Sequence, residues 1–144
     1  MDSLYKAFEP YLRGYIVDVG CGSGDWLIYL KNKGHDSLFG IDPDENNIKI
    51  LGNNRIIGES VLLENILVFM DDYNFDTICS IDVLDTFVNR HGLLRCMEGL
   101  MHRKSKLLVR TKNLEAIEHL NNIFDLVEKI DETKYVFKKK QLEL

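Results

Sequence analysis

Hydrophobic positions along this chain alternate between short continuous runs and helically spaced stripes. Leu4, Ala7, Phe8, Tyr11 and Leu12 recur at helical spacing and predict an opening amphipathic helix that packs against or over a sheet. Residues 15–19 form a short β-branched and aromatic run of the kind that suits a buried strand, interrupted only by Asp18. A helix follows from Asp25, its expected N-cap, with Trp26, Leu27 and Leu30 inward and Gly34 just past its end. Residues 37–41 read as a second buried strand, 44–51 as a helix and 55–57 as a short strand. Leu62, Leu63, Ile66, Leu67 and Met70 mark another helical stripe. Beyond it the pattern predicts a strand at 76–81, a helix at 91–103, a strand at 106–110 and a helix at 114–123. Two closing strands, 124–130 and 133–138, are separated by a short turn and should pair antiparallel.

Alternating strands and helices predict an α/β fold: a doubly wound, mostly parallel sheet with helices on both faces and an antiparallel C-terminal strand. Ligands of such sheets bind at the carboxyl ends of the strands, where the strand order reverses. The first strand ends in Asp18-Val19-Gly20-Cys21-Gly22-Ser23-Gly24-Asp25. Glycine at 20, 22 and 24 permits positive φ and removes Cβ atoms, so a ligand can approach the main chain and its amides. The second strand ends in Asp42, eighteen positions beyond Gly24, where a carboxylate can accept from ribose hydroxyls. Asp42-Pro43-Asp44-Glu45 also reads as a capping box with Asp42 as the N-cap, and both roles stay open. Pro43 would offer a flat apolar surface to an adenine ring.

The glycine spacing discriminates among ligands. A dinucleotide loop, G-x-G-x-x-G, requires glycine where Asp25 stands, and no phosphate-binding G-x-x-x-x-G-K-[ST] occurs. Asp42-x-Asp44-x-Asn46 opens like a calcium loop but has Asn47 and Asn53 where glycine and a bidentate glutamate belong, so no metal site is expected. For Asp71, Asp72 and Asp76 a solvated turn before a strand is preferred to metal ligation, and the four histidines show no ligand spacing.

Asp18-x-Gly20-x-Gly22-x-Gly24 resembles the first motif of the class I S-adenosylmethionine-dependent methyltransferases, and the likeness extends from Tyr15 to the C-terminus. The resemblance implies the Rossmann-like methyltransferase fold, with a reversed last strand at one edge of the sheet, and S-adenosyl-L-methionine as cofactor. It implies donor contacts from Asp18, Gly20, Cys21, Gly22, Gly24, Asp42 and Pro43. Gly58-Glu59-Ser60 stands where the family usually has Gly-Asp-Ala, which implies Glu59 and Ser60 at the adenine. Ser80 and Ile81 match the fourth-strand positions whose main chain holds the methionine amino group. Asp82 and Asp85, then His91, are the candidate proton acceptors just beyond that strand, although Asp82 and Asp85 also suit the first turn of a helix. Tyr5 or Tyr11 would line the acceptor pocket.

The acceptor itself is not specified. It is small and covered by the first helix, or large and bound on an open face, or recognised through a protein partner. Two other functions stay open: a donor-binding or scaffold protein without turnover, and an NAD(P)-dependent oxidoreductase, against which Asp25 counts. The 144 residues, 45% of them hydrophobic, suffice for one domain spanning 1–144 and not for two. No apolar run reaches membrane-spanning length and no signal-peptide pattern opens the chain, so no membrane association and a cytoplasmic location are expected. Cys21, Cys79 and Cys96 form no C-x-x-C pair and are expected to be reduced. A net charge of −5 disfavours passive nucleic-acid binding and leaves only local basic runs at 103–106 and 138–140.

Overall fold

The computed structural model describes residues 1–141. Seven strands form one sheet: β1 (Ile16–Val19), β2 (Leu38–Asp42), β3 (Ile57–Ser60), β4 (Phe75–Ile81), β5 (Met101–Arg110), β6 (Phe124–Lys129) and β7 (Lys134–Lys139). Their order is β3-β2-β1-β4-β5-β7-β6. The first five strands run parallel, and β7 is antiparallel to both β5 and β6. The reversed last strand is present as expected, but it lies one place in from the edge. β6 occupies the edge, because β7 turns back from it and inserts against β5.

Helices cover both faces. Leu4 and Phe8 of α1 (Asp2–Phe8), Leu27 and Leu30 of α2 (Asp25–Asn32) and Leu51 of α3 (Glu45–Asn53) share one buried cluster with Ile16, Cys79, Leu108 and Val136. On the other face, α4 (Ile66–Met70), α5 (Arg90–Gly99) and α6 (Leu114–Ile123) bury Met70, Leu93, Met97 and Leu120 against Val17, Ile78 and Phe137. Alternate residues of each central strand serve the two layers, as the period of two requires.

Local departures from the sequence pattern have identifiable causes. α5 stops at Gly99, where a side chain would collide with Leu67, and the strand begins at Met101. Residues 101–103, expected to be helical, therefore extend β5, and the pairing with β4 shifts register between Phe75 and Thr77. Ser105 supports the shift, accepting from the His102 amide and donating to the Phe75 carbonyl. The third strand starts at Ile57, since Arg55 takes a left-handed conformation, φ 61°, in the turn that ends α3.

Asp76 is no solvated turn residue. It lies within β4, accepts from Tyr15 N–H at 2.8 Å and meets His102 Nε2 at 2.7 Å, and these two bonds hold its carboxyl below the usual range. His102 Nδ1 in turn accepts from Lys104 N–H. This network ties the amino ends of β1, β4 and β5 together at the edge of the sheet opposite the glycine turn.

Candidate functional site

The carboxyl ends of β1, β2, β3 and β4 converge because parallel strands in register end at one level. Asp18 lies between Gly40 of β2 and Cys79 of β4, and Ile41 and Asp42 lie beside Glu59 and Ser60 of β3. The glycine turn closes over this edge with φ values of 77°, 58° and 96° at Gly20, Gly22 and Gly24. A Cβ at Gly20 would stand 2.6 Å from Val83, and one at Gly24 would stand 2.5 Å from Leu51. A Cβ at Gly22 would meet nothing within 4 Å. The outer glycines let the loop after β4 and helix α3 pack closely, and the middle one faces open space.

The amides of the turn are already engaged. Gly20 and Cys21 N–H both donate to Ile41 O, Gly22 N–H to Asp42 Oδ1, and Gly24 N–H to Cys21 O. The expectation that these amides lie free beneath a ligand is therefore corrected. The turn folds over the tip of β2 and uses its donors there. Gly24, not Asp25, is the N-cap of α2, and Asp25 is the acid of the first turn, where it complements the helix dipole.

Asp42 anchors this arrangement. Its Oδ1 accepts from Gly22 N–H at 3.1 Å, and its Oδ2 accepts from Asp44 N–H at 3.1 Å and from the Asn47 side chain at 3.0 Å. Asp44 caps α3 by accepting from Asn46 N–H at 2.8 Å, so the capping-box reading of Asp42 is replaced. Three of roughly four acceptor positions on the Asp42 carboxylate are used, which leaves one. Pro43, Glu59 and Ser60 are exposed beside it, and Ser60 Oγ donates to Pro43 O at 3.1 Å.

Asp18 is different. It is 3% exposed, and its Oδ1 has no hydrogen-bond partner among the described residues. Among the described residues no cation faces it: the titratable groups nearby are Asp42, Cys21 and Cys79. Burial, and secondarily the Asp42 charge, push its carboxyl up to about 8. Burial likewise raises Cys21 to about 12 and Cys79 well above a normal thiol, so both sulfurs stay neutral beside it. Ser80 is also fully buried with an unpartnered Oγ, and half-buried Ile81 follows it.

Beyond β4 the chain enters a left-handed residue, Asp82, with φ 65°. Arg110 of β5 holds it: Nε donates to Oδ1 at 3.0 Å, an NH2 group donates to Oδ2 at 2.7 Å, and Asp82 N–H donates to Arg110 O. Asp85 accepts from the Thr111 hydroxyl and from Lys112 N–H. Both candidate proton acceptors stand at the carboxyl edge, Asp82 engaged by the last residue of β5 and Asp85 by the two residues that follow it. His91 is exposed in the first turn of α5. Tyr5 bonds His35 and packs on Tyr29 at the end of α2 opposite the glycine turn, and Tyr11 donates to Glu128 of β6. These contacts correct the expectation that the two tyrosines line an acceptor pocket. Sequence reasoning also missed Arg110 and Thr111, whose roles depend on the β4–β5 register.

A glycine turn at the first strand, a carboxylate at the second and the strand order 3-2-1-4-5-7-6 define a Rossmann-like nucleoside-binding class. Residues 2–137 match the model of a methyltransferase domain, and the chain belongs to this family, the S-adenosylmethionine-dependent methyltransferases. The match favours methyl transfer over the nicotinamide-dependent alternative.

The structure is similar to a TehB-like S-adenosylmethionine-dependent methyltransferase from Corynebacterium glutamicum, with 18% identity, TM-score 0.79, and 95% of this chain and 87% of that one covered. It is similar to the PH0226 protein from Pyrococcus horikoshii at 15% identity and TM-score 0.77, covering 96% and 91%. A third similar structure is the [4+2]-cyclase SpnF, at 14% identity and TM-score 0.74, covering 88% and 57%. At these identities the likeness establishes the fold. No curated protein matches the sequence. Among the described residues no helix is long and apolar enough to cross a membrane.

Proposed function

We propose that this domain binds S-adenosylmethionine across the tips of β1, β2 and β3 and transfers its methyl group to a small acceptor. The buried, unpartnered Asp18 oxygen, together with the open space at Gly22 on the turn that follows it, carries the reading. An orphaned carboxyl is costly unless a donor or cation reaches it, and an amino-acid sulfonium supplies cationic character. Asp42 would accept from the ribose, Pro43 would face the adenine, and Glu59 and Ser60 would meet its polar edge. Main-chain atoms at Ser80 and Ile81, with Gly20 and Cys21, would hold the amino-acid portion. The donor brings an already activated methyl group, so no nucleophilic side chain is required.

The chain's own contribution is positional. Packing of Val83 on Gly20 fixes the loop after β4 against the donor turn, which aligns an acceptor with the donor and limits water. Asp82 and Asp85 hold that loop through Arg110, Thr111 and Lys112, and proton acceptance by Asp82 requires its release from Arg110. Buried, unpaired Cys21, Cys79 and Cys96 support a reducing, cytoplasmic setting. Thermal denaturation with S-adenosylhomocysteine and with NADH tests the donor. At 100 times Kd a native-state ligand adds about 2.7 kcal/mol, so the former should raise Tm by several degrees and the latter leave it unchanged. The reverse ranking would overturn the proposal.

A further inference from the structure

Donor binding leaves unused a cleft of about 400 Å³ lined by Glu64, Thr86, Phe87, Val88 and Asn89. Both of its walls are attached to the donor edge. The segment leading to Glu64 leaves β3 at Val61, whose N–H donates to Asp42 O at 3.1 Å. The opposite wall follows Val83, which packs on Gly20. The cleft is thus bounded by the two segments that leave the carboxyl ends of β3 and β4.

The lining indicates what it takes. The cleft is a shallow, open depression, so a small molecule lying in it keeps one side in water. Val88 is 98% exposed and Phe87 half-buried, an apolar pair on a loop where polar residues would be solvated at no cost. Glu64 is the only ionisable residue of the lining, and its carboxylate has no hydrogen-bond or ion-pair partner among the described residues. The nearest following cation, Arg90, is turned away: its Nε donates to Leu84 O at 2.7 Å, and its guanidinium reaches Glu115. No lysine or arginine lines the cleft to receive a phosphate or carboxylate. Asn89 is occupied in capping α5 through Gly92 N–H.

Building on the donor reading, we propose that this cleft is the acceptor site and takes a small primary or secondary amine, its nitrogen held by Glu64 and its apolar body lying on Phe87 and Val88. The bound ammonium gives one proton through Glu64 to water. The freed nitrogen lone pair then forms the N–CH₃ bond as the S–CH₃ bond breaks, and the bonding electrons remain on sulfur.

Glu64 and Val88 are exposed, so their substitution leaves the core intact. Calorimetry on the full chain saturated with S-adenosylhomocysteine, using phenethylamine and 3-phenylpropionate as probes, tests the site. Phenethylamine should bind about tenfold tighter than the acid, and Glu64→Gln should weaken it about fivefold, the scale of one exposed ion pair. Val88→Ser should weaken it about threefold through lost apolar contact. Both variants should retain the S-adenosylhomocysteine affinity of the parent. Equal binding of the two probes, an unchanged amine affinity in Glu64→Gln, or no amine binding at millimolar concentration would each overturn the assignment. Failure of S-adenosylhomocysteine itself to bind would break the donor reading instead.

Discussion

Two pairs of aspartates occupy the same carboxyl edge and differ in burial and in the charge that faces them. Asp82 and Asp85 are exposed or half-exposed, and each accepts two hydrogen bonds from residues at or after the end of β5. Asp18 and Asp42 are 3% and 8% exposed, with no cation beside them among the described residues, and Asp18 keeps an oxygen unsatisfied. A folded chain compensates its supporting charges internally. Asp42 is held by three internal hydrogen bonds while Asp18 keeps an unmet acceptor, and in the proposed reading the partner that Asp18 lacks comes with the bound donor.

Replacing Asp42 should break this contrast most severely. Asp42→Ala removes the proposed ribose acceptor and releases Gly22, Asp44 and Asn47 together. Hydrogen bonds to a charged group are worth about 1.5–3 kcal/mol, so calorimetry should show donor affinity falling by about 100-fold or more. Asp82→Asn in the same assay should change it less than about threefold. Equal losses in the two variants would erase the distinction.

A smaller effect sharpens the comparison through pH. Asp18 has a folded pKa near 8, above its value in the unfolded chain, so the folded state holds the extra proton between these limits. The stability this contributes is present below the unfolded value and lost as pH rises through about 8. Melting of the free protein should therefore fall by roughly 5 °C or more between pH 5 and 8, and Asp18→Asn should flatten the slope while weakening donor binding. A parent slope identical to that of Asp18→Asn would show that Asp18 is already ionised in the free protein. The smallest change is expected for Arg110→Met. Its ion pair is half-exposed, and urea unfolding should register a loss of about 1 kcal/mol or less.

The donor half of the edge was the more legible in the sequence because its signals are local. A strand, three spaced glycines and an acid at the next strand end all fall between residues 15 and 42, and the structure brings them to one edge. What stayed hidden depends on distance or on near-degenerate chemistry. Asp42 and Asp44 are equally good caps by type, and only the bond to Gly22 shows which one the turn requires. Met101 is buried whether it closes a helix or opens a strand, so hydrophobic spacing cannot place the boundary. Arg110 finds Asp82, and Val88 and Glu64 come to share a cleft, only after the strands and loops are assembled. Tyr5 and Tyr11 follow the helical stripe but spend their hydroxyls on His35 and Glu128.

The insertion of β7 between β5 and β6 has a consequence for how the chain is made. As synthesis proceeds from the amino end, β6 emerges before the only strand it pairs with, and Leu107 and Val109 of β5 wait at a raw margin until Lys134–Lys139 arrives. The last strand of the sheet to be translated is thus its keystone. A chain halted before Lys134 would display an unpaired, apolar border open to any passing strand.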